Sequence, residues 1–368
     1  MALNIYFAII ANDEESSIKL TIKSLFSQSL FYSDAIAIAI DYINVSVFAN
    51  GCKDDTAKVA KQALQELRPN TTYVDVDTDV IEFELGDKAT TWNRFVHEYA
   101  KDDATYLFMV DGDILINNEA TCELLVKSLE DNPGAVISSS TAIKDTSIQA
   151  KQSLLDKCSN YITRLEQDVR FSAVTGGLMC GRSHFLKRLW LPAYLLNIDG
   201  ILTTIAKTDF FASQEFIHER VINPAGATFI FEAYRDIRLL YYNHCRRYVG
   251  HVIRDYLYNE LRAISARGID PATSLKERYA TNPNWLQAEI MSTIKKQKSS
   301  LVPWDTLTLR ITQFIGSKKN RSFRKIPFIL LATIWQAVVL VGVKYFLAKG
   351  DLRRVWRNSQ NARLVDTK

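Results

Sequence analysis

The sequence predicts an α/β protein with a mostly parallel sheet, helices on both faces of that sheet, and a helical C-terminal extension. Short β-rich segments alternate with helical patterns over residues 3–143, which is typical of βαβ units. Residues 236–267 show a long helical pattern, and the chain from about 284 adds helices without a strand signal. The length of 368 residues is more than a single core usually holds. We therefore expect a main domain over 1–235, a helical extension over 236–300 and a tail over 301–368.

The elements of the main domain follow from the spacing of apolar residues. The β-rich segments that fit strands are Asn4–Ala11, Ile43–Ala49, Tyr73–Asp77, Tyr106–Val110 and Ala135–Ser140. Helical spacing is kept by two sets of residues, which are Ile18, Ile22, Leu25 and Phe26, and then Ala57, Ala60, Leu64 and Leu67. A further helix is expected over 151–170 and a strand over 174–181. In open α/β sheets ligands bind at the carboxyl ends of the strands, so the segments that follow each strand are the candidate sites.

The charge is unevenly distributed along the chain. Residues 295–368 hold 16 Lys and Arg against 3 Asp and Glu, which leaves 29 against 38 in the rest of the chain. A near-neutral total therefore combines an acidic body with a basic tail. An apolar run accompanies the basic charge, which favours an anionic membrane surface over nucleic acid, and no nucleic-acid partner is expected.

The apolar run of the tail covers residues 326–343, between Lys325 and Lys344. As a helix it would measure about 27 Å, near the lower limit for crossing a bilayer. Basic residues flank it on both sides, so the positive-inside rule gives no orientation. The alternatives are a membrane-associated segment, whether tilted, shallow or re-entrant, and a buried helix that packs on the core.

The N-terminal segment and the cysteines indicate a cytoplasmic protein, at the inner face of the membrane if the tail binds there. No basic residue precedes the apolar segment Leu3–Ala11 and acidic residues follow it, which predicts a strand and not a secretion signal. The five cysteines, at 52, 122, 158, 180 and 245, lack metal-ligand spacing. Reduced structural thiols are the expectation.

Three polar segments follow the first three predicted strands, and each has a structural and a functional interpretation. Asn12–Ile18 and Asn50–Thr56 can cap the helices that they precede, or hold a nucleotide through their carboxylates and amides. In Gly86–Asn93, Lys88 can steer a phosphate or remain a solvated charge. Capping and ligand binding are compatible, so both interpretations stay open.

Asp111-Gly112-Asp113 follows the most apolar strand pattern, Tyr106–Val110. Two carboxylates beside a buried strand repel each other and lose hydration, and a cation offsets both effects. A hard divalent ion with oxygen ligands, Mg²⁺ or Mn²⁺, would bind this pair together with a diphosphate. The alternative is a turn with surface acids.

The second half contributes weaker candidates. Asp199, within Asn197-Ile198-Asp199-Gly200, is a carboxylate in an apolar neighbourhood, where it can act as a general base or simply form an Asp-Gly turn. Asp209 is a rival for the same role. In His244–Tyr248, the histidine and the arginines can neutralise a departing diphosphate, or the helix face is only solvated.

Taken in order, these segments resemble glycosyltransferase family 2, a group of inverting enzymes with the Rossmann-like GT-A fold. Five segments match the family pattern, and they are Asp13-Glu14-Glu15-Ser16-Ser17-Ile18, Thr21-x-x-Ser24-Leu25-x-x-Gln28, Asn50-Gly51-Cys52-x-Asp54-x-Thr56, Gly86-x-Lys88-Ala89-x-x-Trp92-Asn93 and Asp111-Gly112-Asp113. Weaker similarity continues at Gly176-Gly177, Asp199-Gly200 and His244-x-x-Arg247-Tyr248. The last of these departs from the motif of processive members, and the resemblance therefore leaves processivity open.

The resemblance implies a GT-A fold and a role for each matched residue. The resemblance implies that four residues face the nucleotide, and they are Glu14, Asn50, Asp54 and Lys88. It implies that Asp111 and Asp113 hold the metal and the nucleoside-diphosphate sugar, that Asp199 deprotonates an acceptor hydroxyl, and that Arg247 stabilises the leaving diphosphate. The acceptor would be a glycan or a lipid-linked molecule.

Two rival functions remain at the level of sequence. A nucleotidyltransferase also places acidic metal ligands on an α/β sheet, but it normally has a glycine- and basic-rich phosphate loop where Asn12–Ser17 is acidic. A catalytically inactive, membrane-associated nucleotide-binding scaffold would keep the fold without turnover. The acids at Asp111, Asp113 and Asp199 argue against the scaffold.

Overall fold

The fold was analysed in a computed structural model that describes residues 3–32, 39–71, 73–148, 172–233, 236–297 and 326–349, together with 302, 304, 306 and 307. Its strands are β1 Leu3–Ala11, β2 Ile40–Asn50, β3 Asp75–Phe83, β4 Tyr106–Asp111, β5 Ile114–Ile116, β6 Ile137–Ser139, β7 Thr141–Lys144, β8 Leu178–Arg182, β9 Val221–Ile222 and β10 Thr228–Phe231. Its α-helices are α1 Ile18–Phe26, α2 Thr56–Leu67, α3 Lys88–Arg94, α4 Thr121–Glu130, α5 Asp145–Ile148, α6 Ser183–Leu186, α7 Ile198–Thr208, α8 Ile237–Ala266, α9 Pro271–Thr281, α10 Trp285–Gln297 and α11 Ile326–Lys349.

Seven strands form the main sheet in the order β3-β2-β1-β4-β8-β6-β9. The pairs β3-β2, β2-β1, β1-β4 and β6-β9 are parallel, whereas β8 runs antiparallel to β4 and β6. The predicted mostly parallel sheet is therefore confirmed. Since β1, β2 and β4 run in the same direction, their carboxyl ends meet at one edge of the sheet, where polar segments follow them.

Helices cover both faces of this sheet. Along β1, Ile5, Phe7 and Ile9 pack on one face, and Tyr6 and Ala8 pack on the other, as the two-residue repeat of a strand requires. The first face also packs the apolar sides of α1, α2 and α4. The second packs residues of α3, α7 and α8, and it includes buried residues of α11. A strand buried on both faces explains why β1 is continuously apolar from Ile5 to Ala11.

A smaller sheet of β5, β10 and β7 was not predicted. Its strands have three or four residues each, too few for an apolar pattern to stand out. The antiparallel pair β5-β10 joins Ile114 to Phe231 across more than a hundred residues of sequence. Such a pairing depends on tertiary structure and not on local propensity.

Most predicted elements are confirmed, and three differ clearly in extent. The strand predicted over 174–181 is shorter and shifted, as β8 Leu178–Arg182, because Gly176 and Gly177 form a turn before it. The third strand covers Asp75–Phe83, so the predicted Tyr73–Asp77 ends too early because alternating acids conceal the strand pattern. The segment predicted as Ala135–Ser140 contains only Ile137–Ser139. The helix predicted over 236–267 is confirmed as α8. The helix predicted over 151–170 lies outside the described residues, and the three-segment division of the chain stays a prediction.

Candidate active site

The loops after β1 and β2 are joined by hydrogen bonds at the edge of the sheet. The backbone N–H of Lys53 donates to Asp13 Oδ1 over 2.6 Å, and the N–H of Glu14 donates to Thr56 Oγ1 over 2.7 Å. Asp54 accepts from the N–H of Glu15 at 3.2 Å and from the N–H of Thr56 at 3.1 Å. The carboxylates of Asp13 and Asp54 thus satisfy backbone donors of the two loops.

Glu14 and Asn50 differ in what their side chains leave available. The Glu14 carboxylate accepts from Ser17 Oγ over 2.7 Å, at the start of α1. Asn50 is buried, and its Oδ1 accepts from the N–H of Asp87 and from Thr91 Oγ1, both over 2.9 Å. Its Nδ2 is a buried donor that has no hydrogen-bond partner among the described residues. A ligand carbonyl that reached this donor would satisfy it.

Close contact between two turns sets the position of Lys88. Gly51 has a φ of +69°, and a Cβ there would lie 2.3 Å from the backbone nitrogen of Gly86. Both turns therefore need a residue without a side chain at Gly51. Asp87 then caps α3 by accepting from the N–H groups of Ala89 and Thr90. Lys88 consequently occupies the first position of α3, beside the end of β4.

Backbone contacts of the Asp111-Gly112-Asp113 segment hold it in place. A Cβ on Gly112 would lie 2.7 Å from the Cβ of Ala11, so the turn packs directly on β1. Thr21 Oγ1 donates to the carbonyl of Gly112 at 2.9 Å. The N–H of Asp111 donates to the carbonyl of Gly177 over 2.9 Å. These contacts fix the backbone, and the carboxylates of Asp111 and Asp113 remain partly exposed.

Lys88 forms an ion pair with Asp111, and the side chains of both are 30% exposed. The Lys88 ammonium also donates to the carbonyl of Gly176 over 3.4 Å. Burial lowers the pKa of Lys88, but the carboxylates of Asp111, Asp199 and Asp113 outweigh that effect and raise the pKa above its usual value. Three carboxylates are therefore close enough to act on one ammonium group.

Asp199 lies in the first turn of α7 and faces this cluster. A Cβ on Gly176 would lie 2.6 Å from Asp199 Oδ1, so the glycine makes room for the carboxylate. Burial raises the pKa of Asp199, the nearby charge of Lys88 opposes the rise, and the charge of Asp111 adds to it. A carboxylate with a raised pKa that is partly exposed, as Asp199 is, is well suited to accept a proton.

The two neighbouring arginines of α8 have different surroundings. The charge of Arg246 lowers the pKa of Asp199, which places Arg246 near the cluster. Arg247, the predicted residue, is exposed. Gly250 brings α8 against α7, since a Cβ there would lie 3.2 Å from the Cβ of Asn197. The sequence offered both arginines as candidates and the motif resemblance selected Arg247, whereas the helix phase that decides between them depends on tertiary packing.

Asp209 lies at the other end of α7 from Asp199. Its Oδ1 accepts from Arg220 at 3.0 Å and from Arg188 at 3.3 Å. Ten residues of helix separate the two aspartates, roughly 15 Å along the axis. Asp209 is thus part of an ion-pair network, and the cluster at the edge of the sheet contains Asp199.

Two acidic groups at this edge differ in their fit to a metal ion. Among the described residues, Asp13, Cys52 and Asp54 bring three potential ligand atoms within 4.8 Å of one another. Burial raises the pKa of the Cys52 thiol, which disfavours the thiolate that binds metals. Asp111 and Asp113 instead offer carboxylate oxygens, which suit Mg²⁺ or Mn²⁺. With Asp199 they outnumber the nearby cations Lys88 and Arg246, so the charge of this cluster fits an added cation.

The sheet and the helices that cover it define the fold class. A seven-stranded, mostly parallel sheet with helices on both faces is a GT-A-type α/β fold. The GT-A fold implied by the resemblance to glycosyltransferase family 2 is therefore confirmed.

Comparison with solved structures identifies a similar protein of this fold. The chain is similar to the mannosyltransferase PcManGT from Pyrobaculum calidifontis, determined in complex with GDP-Man and Mn²⁺. The identity is 14%, the match covers 97% of this chain and 88% of that chain, and the TM-score is 0.51. At this identity the similarity establishes the fold alone.

A second similar structure is glucosyl-3-phosphoglycerate synthase from Mycobacterium tuberculosis, in complex with Mn²⁺, UDP and phosphoglyceric acid. It is 15% identical, with 68% of this chain and 78% of that chain covered, and the TM-score of 0.43 is too low to support an argument. No protein-family model and no curated protein matches the sequence.

Proposed function

We propose that this chain is a metal-dependent inverting glycosyltransferase that moves a sugar from a nucleoside diphosphate to an acceptor hydroxyl. The observation that carries the proposal is the convergence of Lys88, Asp111 and Asp199 at the carboxyl edge of the sheet. The shared fold with a structure that holds GDP-Man and Mn²⁺ supports it. We also propose that the chain belongs to glycosyltransferase family 2, on the five matched segments.

The donor would bind along the edge from the β1 loop to the β4 turn. Glu14, Asn50 and Asp54 would face the nucleotide, and the unpartnered Nδ2 of Asn50 supports that role. Asp111 and Asp113 would hold Mg²⁺ or Mn²⁺, which when bound neutralises charge on the diphosphate. Lys88 would turn from Asp111 to a phosphate oxygen, where its ammonium adds positive charge.

Transfer would proceed by single displacement. Asp199 takes the proton from the acceptor hydroxyl as its oxygen attacks the anomeric carbon, and the electron pair of the breaking bond leaves with the diphosphate. Attack opposite the leaving group inverts the configuration at that carbon. Arg247 is proposed to stabilise the leaving diphosphate, and the position of Arg246 supports a contribution from that arginine too.

The acceptor is proposed to be a glycan or a lipid-linked molecule. The protein is proposed to act in the cytoplasm, at the inner face of the membrane. A polar α7 terminus that presents Asp199 beside α8 supports an acceptor hydroxyl on that side. The rival scaffold function predicts donor binding without turnover. The rival nucleotidyltransferase function predicts transfer of a nucleotide and not of a sugar.

Thermal unfolding in the presence of nucleotide sugars tests the proposal. A ligand that binds the folded state raises the melting temperature, by an amount equivalent to about 2.7 kcal/mol at a hundredfold excess over Kd. We expect one nucleotide sugar to do so only with Mn²⁺ or Mg²⁺, and Asp111→Asn to remove the effect. Asp13→Asn is the matched control, because it removes one carboxylate from the neighbouring acidic group. Equal stabilisation of wild type and Asp111→Asn would contradict the proposal.

A further inference from the structure

The C-terminal helix α11 packs on the core through one face. Trp335 Nε1 donates to His244 Nδ1 over 2.8 Å, and Gln336 Nε2 donates to the Tyr248 hydroxyl over 2.9 Å. A Cβ on Gly342 would lie 2.1 Å from the Tyr241 hydroxyl oxygen. Residue numbers along α8 fall from the first two contacts to the third as those along α11 rise, so the two helices are antiparallel. This face is part of the protein interior.

The opposite face of α11 is an exposed apolar stripe. Its members recur at helical spacing and are between 49% and 67% exposed, and they are Leu330, Leu331, Ile334, Val338, Val341 and Tyr345. From Leu330 to Tyr345 the stripe is roughly 22 Å long. A contiguous apolar surface of this length that is exposed to solvent generally marks an interaction site.

Length and composition alone would allow this helix to cross a membrane. Leu330–Lys349 has a mean hydropathy of 1.8, and 39% of it is buried inside the protein. The contacts with α8 limit how it could do so. Arg247 is exposed on the part of α8 that contacts α11, between His244 and Tyr248. A crossing α11 would carry this arginine into the hydrocarbon, where a charged side chain is strongly unfavourable.

We propose that α11 lies in the plane of an anionic bilayer surface, with the apolar stripe toward the acyl chains and without spanning the bilayer. Charge complementarity identifies the occupant. Residues 295–368 hold 16 Lys and Arg against 3 Asp and Glu, and Lys344 and Lys349 are exposed on α11 itself. The exposed apolar stripe can be buried among the acyl chains, and the basic residues are attracted to anionic headgroups.

In-plane binding would also orient the proposed active site. Helix α8 contacts α7 through Gly250 and Asn197, and the Tyr258 hydroxyl donates to the carbonyl of Gly200. Asp199 lies between Asn197 and Gly200, so the stripe and the cluster are connected through two packed helices. The docking inference itself rests on α11 alone and does not require the proposed transferase activity.

Co-sedimentation of the full chain with vesicles tests the docking. We expect binding to vesicles of phosphatidylcholine with phosphatidylglycerol, at least tenfold weaker binding to phosphatidylcholine alone, and weaker binding at high salt. The variant Ile334→Asn/Val338→Asn should lose at least tenfold in vesicle affinity. The control Tyr73→Asn/Ile269→Asn changes two exposed apolar residues elsewhere and should bind like the wild type. Circular dichroism and ligand-free thermal unfolding would verify that each variant is folded.

Several outcomes would overturn the inference. One is failure of the folded wild type to bind anionic vesicles, and another is binding that the stripe variant retains. Vesicle-free dimers that the stripe variant dissociates, without lipid binding, would assign the stripe to a second copy of the chain. Extraction of cell membranes with alkaline carbonate addresses the in-plane geometry. Release of the protein supports it, and retention in the membrane would show that α11 spans.

Discussion

Two acidic groups lie at the same edge of the sheet, and they differ in what satisfies their carboxylates. Asp13 and Asp54 accept hydrogen bonds from the backbone N–H groups of Lys53, Glu15 and Thr56. The other group comprises Asp111, Asp113 and Asp199, and the ammonium of Lys88 is the cation on which all three act. The first group joins two loops, whereas the second concentrates negative charge on partly buried side chains.

The difference shows that an acidic residue after a strand is not informative by itself. Asp13 and Asp54 follow β1 and β2, Asp111 and Asp113 lie at the end of β4, and Asp54, Asp111 and Asp113 are each within three residues of a glycine. In the first group, backbone N–H groups satisfy the acceptor oxygens of the carboxylates. In the second group like charges remain near one another, and burial raises the pKa of Asp199. This unfavourable arrangement is the stronger indication of function.

The largest expected effect is the loss of sugar transfer on substitution of Asp199, which distinguishes it from Asp209 as the general base. Asp199→Asn should lower the rate of sugar transfer by about 10²–10⁴-fold, as expected for loss of a general base. The Kd for the donor with Mn²⁺ should stay within a few fold of wild type, because Asp199 does not hold the donor. Single-turnover kinetics and calorimetry measure the two quantities.

Asp209→Asn is the matched control for that variant. It should disturb the pairing with Arg188 and Arg220 and lower stability, with a much smaller effect on transfer. If Asp209→Asn abolished transfer and Asp199→Asn did not, the base would be reassigned to Asp209.

A second effect concerns the space that Gly176 leaves for the Asp199 carboxylate. In Gly176→Ala, the new Cβ at 2.6 Å from Oδ1 must displace the carboxylate. Transfer should fall by about 10²-fold, the scale of a misplacement near 1 Å. Gly134→Ala provides the control, since a Cβ there meets no atom within 4 Å. Steady-state kinetics compare the two, and normal turnover in Gly176→Ala would contradict the placement of Asp199.

The sequence predicted the elements that depend on local pattern. Strand ends, helix starts and the segments between them were found because apolar periodicity and polar turns are local signals. The contacts that make the site were not found in this way. The pairing of Lys88 with Asp111 joins residues 23 positions apart, and only the resemblance grouped them.

Other features depended on tertiary structure from the outset. Hydrogen bonds that occupy Asp54 come from two different loops, and no spacing rule indicates them. The choice between Arg246 and Arg247 depends on how α8 rotates against α7. The alternatives for the apolar run were a membrane segment or a buried helix, but α11 has one buried face and one exposed face. A mean hydropathy cannot distinguish these faces.

A smaller effect tests the structural role of the first acidic group. Asp13→Ala removes the acceptor for the N–H of Lys53 and places alanine at a φ of +56°. The free energy of unfolding should fall by about 0.5–1.5 kcal/mol, the usual net contribution of one hydrogen bond, and the strain of alanine at this φ adds to the loss. Urea denaturation measures this change. The Mn²⁺ dependence of donor stabilisation should persist, and its loss would mean that the first group, and not the second, binds the metal.

The smallest expected effect concerns the pH dependence of transfer. Transfer needs the charged form of Asp199, so activity should rise as pH increases through the raised pKa of this group. Arg246 lowers that pKa, and Arg246→Gln should therefore move the acid limb of the kcat/KM profile to higher pH, by roughly one pH unit or less. Arg247 is exposed, and Arg247→Gln should leave the limb in place while it weakens leaving-group stabilisation. A limb that moves only in Arg247→Gln would show that Arg247, as the motif resemblance implies, is the arginine that faces the cluster.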